Sequence, residues 1–182
     1  MEKIELEDFN KKLPDKLPIS VIMEKRPSDH AWVDFSYEAI GVVTSDRLQE
    51  NETKKIYEQD GIERYLFSGL SLQLYVDECE SYYHNLMSPE PGCYIVANEP
   101  DTQDEMPEPY LVSLSFDEVH AYLEGDELVY AVEIPVELYQ WTEAFILTHY
   151  VSTKRTKRKL KNWKEEAGGN MPEKAAVPGK SS

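Results

Sequence analysis

Six side chains in this sequence could do metal or nucleophilic chemistry: His30, His84, His120, His149, Cys79 and Cys93. A zinc or catalytic metal needs such ligands clustered, with hydrogen-bond partners behind them to fix their orientation. Here they are scattered, and Cys79 and His84, five residues apart, do not share a helical face. Ordinary surface or core positions are the expectation for these histidines, His120 included. A thiolate at a helix N-terminus is a nucleophile, and Cys79 has that position in the sequence pattern. Asp77, Glu78 and Glu80 surround it, however, and oppose a further negative charge. Two cysteines separated by thirteen residues form neither a metal motif nor a disulfide framework, so reduced thiols are expected. The acidic loop with Asp101, Asp104, Glu105 and Glu108 lacks the alternating ligands and the glycine turn of a calcium loop. No Gly-x-Ser-x-Gly or Ser-x-x-Lys pattern occurs, and of the eight glycines only Gly168 and Gly169 are adjacent. Neither serine-hydrolase chemistry nor a glycine-rich phosphate loop is indicated. No metal and no cofactor is expected.

Charge is distributed far less evenly. Between Arg64 and Lys154 there is no lysine or arginine, while the same 89 residues hold 17 Asp and Glu. Seven cations then follow within eleven residues: Lys154, Arg155, Lys157, Arg158, Lys159, Lys161 and Lys164. Residues 1–150 carry 10 basic and 32 acidic side chains, a net of −22, and residues 151–182 carry 9 and 3, a net of +6. Such asymmetry governs encounter and solubility rather than fold. The basic cluster with Trp163 has three readings. It could be a partner-binding arm that orders on contact, a nucleic-acid or anion-binding segment, or a charge balance for the chain's end. The acidic body would repel a polyanion beyond the arm itself, which counts against nucleic acid. The acidic surface could dock something basic, the chain's own tail included. Trp32, beside Asp29 and Asp34 in a turn, is the body residue expected to be exposed for a partner, whereas Trp141 is expected in the core.

The elements that must position these groups follow from periodicity. Alternation over 17–24 and a β-rich run over 32–44 predict two strands, with a possible bulge at Ala39, Ile40 and Gly41. Residues 45–62 are the most polar part of the body and read as a long loop with a short helical turn near Lys54. Leu70, Leu72, Leu74 and Val76 alternate with polar residues as in a half-buried strand. Asp77 with Glu80 has the form of a capping box opening a helix to about Met87, and Ser115 with Glu118 opens a second, short helix. Short strands are predicted at 93–98 and 110–115, and a further one at 127–134. Pro135 then starts a third helix, whose Leu138, Trp141, Phe145 and Thr148 recur at helical spacing with Val136 and Leu147 alongside. The resulting expectation is an α+β fold in a single domain, residues 17–151: mainly antiparallel sheet with about three helices packed on it. A flexible segment, 1–16, precedes it, and a basic, flexible tail, 152–182, follows. The N-terminal residues have neither a basic n-region nor an apolar h-region, and no run reaches the roughly 18 apolar residues of a membrane span. A cytoplasmic protein without a membrane partner is the expectation.

Three groups of segments carry a resemblance. The first is Leu17-Pro-Ile-Ser-Val21 with Glu24-Lys-Arg26 and Trp32. The second is Asp77-Glu-Cys-Glu80 with Tyr83-His-Asn-Leu86 and Pro91. The third is Val112-Ser-Leu-Ser115, Asp117-Glu118, Val132-Glu-Ile-Pro135, Trp141, Phe145 and His149-Tyr150, closed by the cations from Lys154 to Lys159. In this order they resemble a proteobacterial family of uncharacterised proteins encoded beside molybdenum-dependent formate dehydrogenases and their maturation factors. The resemblance implies a non-enzymatic accessory role in biogenesis or assembly of such an enzyme, with a formate dehydrogenase subunit or maturation factor as the protein client. It supplies no catalytic residues. The residues expected to meet the client are Trp32, Lys154, Arg155, Lys157, Arg158, Lys159 and Trp163. The alternatives are an enzyme or cofactor-handling protein, which would need His84, His120 or His149 gathered with carboxylates in a pocket, and an RNA- or anion-binding module using the tail.

Overall fold

The computed structural model describes residues 13–153. Alternating apolar residues build β1 (Lys16–Pro27), β2 (Phe35–Thr44) and β4 (Ile62–Gln73), and a polar segment builds β3 (Thr53–Gln59). These strands form an antiparallel sheet in the order β2-β1-β4-β3. A 3-10 turn (Val76–Glu78) leads into α1 (Cys79–Leu86). Then follow β5 (Gly92–Asn98), β6 (Glu108–Ser113), α2 (Phe116–Glu124), β7 (Leu128–Glu133) and α3 (Val136–Thr153). The last three strands form a second antiparallel sheet, ordered β6-β5-β7. The α+β class and the three helices are as expected from the sequence, but the strands divide into two sheets.

One core joins the layers. Ile19, Val21 and Met23 of β1 meet Leu72 of β4 and Leu74 just past its end, Cys93 and Ile95 of β5, and Leu138, Trp141 and Phe145 of α3. Val96, on the opposite face of β5, is also fully buried. Val119 of α2 is buried as well, and α2 lies against β5 and β7, so both faces of the central strand are covered. Trp141 is in the core, as its spacing predicts, and its indole N–H donates to the Pro14 carbonyl at 2.7 Å. On α3 the buried stripe runs through Leu138, Trp141, Thr142, Phe145 and Ile146. Thr148, expected in that stripe, is exposed and bonds back to the Ala144 carbonyl at 2.8 Å.

Several local expectations are corrected. Residues 45–62 contain β3 rather than a helical turn. Asp60 and Gly61 have φ of 54° and 78°, the left-handed pair of a two-residue hairpin, and Gln59 pairs with Ile62 across it. Every residue of β3 is exposed, which is why no apolar alternation marks it. The predicted bulge is present: Ile22 pairs with Gly41 and Met23 with Ala39, leaving Ile40 as the extra residue. A second irregularity lies where Ile19 pairs with Leu70 and Val21 with Phe67. Gly69 there has φ of 87°, and a Cβ on it would stand 2.8 Å from the backbone nitrogen of Asn51.

The two helix starts differ. Ser115 caps α2, its hydroxyl accepting the Glu118 N–H at 3.1 Å. Asp77 does not cap α1, because the 3-10 turn carries the chain past it and Glu78 takes the N-cap position without a side-chain bond.

Candidate functional site

Chemistry of the catalytic kind finds no converged set of groups among the described residues. His30 lies in the turn between β1 and β2, His84 on α1, His120 on α2 and His149 on α3. The last three have separate aromatic neighbours: Tyr83, Phe116 and Phe145 respectively. No three His, Cys, Asp or Glu side chains among the described residues converge as metal ligands would. Cys79 and Cys93 are buried free thiols. Burial pushes the Cys79 thiol up, with the Asp77 charge adding to it, and burial alone pushes Cys93 up to about 12. Both therefore stay protonated, the reverse of an activated thiolate.

The buried polar groups are committed to holding elements together. The fully buried Ser115 hydroxyl donates to the Glu78 carboxylate at 2.6 Å and lies 3.0 Å from the Ser81 hydroxyl, tying the start of α2 to α1. Ser113 relays the other half of the cap, accepting the Ser115 N–H at 3.0 Å and donating to the Glu118 carboxylate at 2.5 Å. This uses the Glu78 carboxylate within the fold. In the first sheet the Glu24 carboxylate, 2% exposed, accepts from Arg26 and from Arg64 Nε at 2.8 Å. Burial drives the Glu24 carboxyl up, but the hydrogen bonds and charges of the two guanidiniums together outweigh it, leaving it below the usual carboxylate range.

What remains is a surface of unusual composition. Every described lysine and arginine lies on β1, β3 or β4, or in the connection before β3. The second sheet and the three helices carry none. Among the described residues, all Lys and Arg ion pairs with carboxylates accordingly involve Glu24, Glu58 or Glu63. The carboxylates of the helical layer have no such partner within the described structure.

Within that layer, α1 and α3 pack side by side and leave an apolar groove of about 330 Å³. Leu86 and Ile146 form its buried floor. Tyr83 and Tyr150 stack across it with centroids 5.8 Å apart and planes 13° apart. Met87 and Leu147 stand at its rim, 58% and 65% exposed, beside the single carboxylate Glu143. Exposed apolar side chains gathered in a concavity mark an interaction site more than isolated ones do. The sequence reading missed this groove. Its signal was the spacing of Tyr83 on α1 and Met87 at its C-cap, four apart, and of Leu147 and Tyr150, three apart on α3, each pair falling on one helical face outside the core stripe.

A second concavity, about 380 Å³, lies beside the turn that holds Trp32. Val33, Phe35, Tyr37 and Tyr130 supply its apolar wall, and Glu99 and Asp101 its acidic one. Tyr37 donates its hydroxyl to the Asp104 carbonyl at 2.7 Å, pinning the acidic loop between β5 and β6 over the strands. Trp32 itself is 92% exposed, as expected from its place in the turn. The other residues expected to meet a partner, Lys154, Arg155, Lys157, Arg158, Lys159 and Trp163, lie outside the described residues.

Among the described residues no helix is long and apolar enough to cross a membrane. No curated protein and no solved structure matches the chain. A family model does match, over residues 18–159, which takes in both sheets, the three helices and the first cations of the basic cluster. By that match, the chain belongs to the family described as Protein of unknown function (DUF3305).

Proposed function

We propose that this chain is a non-enzymatic accessory protein that works by protein–protein contact in the biogenesis or assembly of a molybdenum-dependent formate dehydrogenase. The observation that carries the contact reading is the apolar groove between α1 and α3, set in a helical layer without a single lysine or arginine. A surface of this kind attracts basic partners at a distance and offers them apolar area on arrival. The opposite charge of residues 154–164 gives the same chain a second handle for an acidic client. Trp32 adds a large exposed ring on the first sheet's side. The choice of client rests on the resemblance of the ordered motifs from Leu17 to Lys159 to proteins encoded beside formate dehydrogenases.

The test is affinity capture of the tagged full chain from cells that contain it together with a molybdenum-dependent formate dehydrogenase. Wild type should recover a formate dehydrogenase subunit or a maturation factor. A variant with Lys154, Arg155, Lys157, Arg158 and Lys159 all changed to Glu should lose at least about tenfold of that recovery, because charge reversal replaces attraction by repulsion at each contact. Equal recovery by both would remove the basic cluster from the interface. Recovery of neither protein class would overturn the choice of client.

A further inference from the structure

We propose that the groove between α1 and α3 is the docking site for the chain's own basic segment, residues 154–164, so that the arm is held on its own body until a client displaces it. Three observations converge on this occupant. Tyr150, which lines the groove, precedes Lys154 by only four residues, so the segment is tethered directly to the groove's own lining. Charge is complementary: the segment holds seven cations, and residues 65–153, which supply every groove residue including Glu143, hold 17 Asp and Glu and no Lys or Arg. The segment also carries apolar groups to match the floor. Leu160 and Trp163, three apart, are its only large apolar side chains, and they can lie on one face of a helical turn.

Reach is ample. Leu160 is ten residues beyond Tyr150, a span of up to about 33 Å when extended, against about 12 Å for the whole length of α1. A tether this short places the segment at an effective concentration in the millimolar range, so a contact with a dissociation constant of about 0.1 mM already keeps it docked about tenfold over the open state. The inference concerns the chain alone, and its outcome is read separately from any capture of a client.

Trypsin tests it on the full chain. Arg64 is the last site before Lys154, so cuts in the arm are unambiguous by mass. Cleavage at Arg158 and Lys159 is compared with cleavage at Lys174, each rate divided by its value in a synthetic peptide of residues 150–182. Docking predicts that the normalised rate at Arg158 and Lys159 falls at least about tenfold below that at Lys174, since proteolysis follows the open population. Leu147→Asp, at an exposed rim position, should abolish this protection while leaving the unfolding midpoint unchanged, and Trp163→Ala should do the same. Equal normalised rates in the wild type overturn the proposal, as does protection that survives Leu147→Asp. Protection that rises with protein concentration also overturns it, and assigns the groove to the arm of a second copy.

Discussion

Asn85→Ala is expected to destabilise the protein by about 3–5 kcal/mol, a third or more of a typical domain's stability. Asn85 is buried at the end of α1, and its amide makes three hydrogen bonds. Its NH₂ group donates to the carbonyls of Gly92 at 2.8 Å and Leu114 at 2.9 Å, and its oxygen accepts the Gly92 N–H at 3.0 Å. One side chain thus fixes the last turn of α1 to the first residue of β5 and to the strand end before α2. Alanine leaves one donor and two acceptors without these bonds in a buried site, each costing about 1–3 kcal/mol when no water replaces the partner. Urea unfolding with an unchanged slope would measure the loss. A loss below about 1 kcal/mol would mean that water takes over all three bonds, contrary to the role assigned to Asn85.

Arg64→Ala is expected to cost about 2–4 kcal/mol, chiefly by leaving one oxygen of the buried Glu24 carboxylate without its charged donor. Removing Glu24 as well should recover part of that loss, because Arg26, with half of its side chain exposed, can turn to water. A double variant that loses the full sum of the single ones would contradict this coupling. The pH dependence has a definite sign. The folded Glu24 carboxyl titrates below its unfolded value of 4.5, so its contribution is complete above that pH and is lost as pH falls through the folded pKa. Wild-type stability should therefore decline more steeply below pH 4.5 than that of Glu24→Gln.

Much of the body is legible in the sequence because its elements obey local rules. Leu72 and Leu74 face the core as their alternation requires, Ser115 caps α2, and Ile40 sits in the bulge beside Gly41. What escaped depends on surfaces or on distant partners. Strand β3 has no buried residue, so its only local mark is the Asp60-Gly61 turn, and its pairing with β4 does the rest. Glu24 occupies what looks like an outward polar position, but it is buried, and one of the two guanidiniums that pair with it belongs to Arg64, forty residues away. The division into two sheets likewise follows from long-range pairing, with β1 choosing both β2 and β4. The groove needs two helices, α1 and α3, brought side by side from positions more than fifty residues apart in the chain. Trp32 was legible as exposed because nothing apolar flanks it in its turn but Ala31 and Val33.

The proposed accessory role in making a molybdenum-dependent formate dehydrogenase has its decisive test in cells that carry both proteins. Formate dehydrogenase activity would be measured after deletion of this chain and after its return as wild type or as the variant with the five cations from Lys154 to Lys159 reversed. Deletion is expected to lower activity at least about tenfold, wild type to restore it, and the reversed variant not to, since the arm is one of the contacts proposed to hold the client. Full activity in the deleted cells would contradict that role.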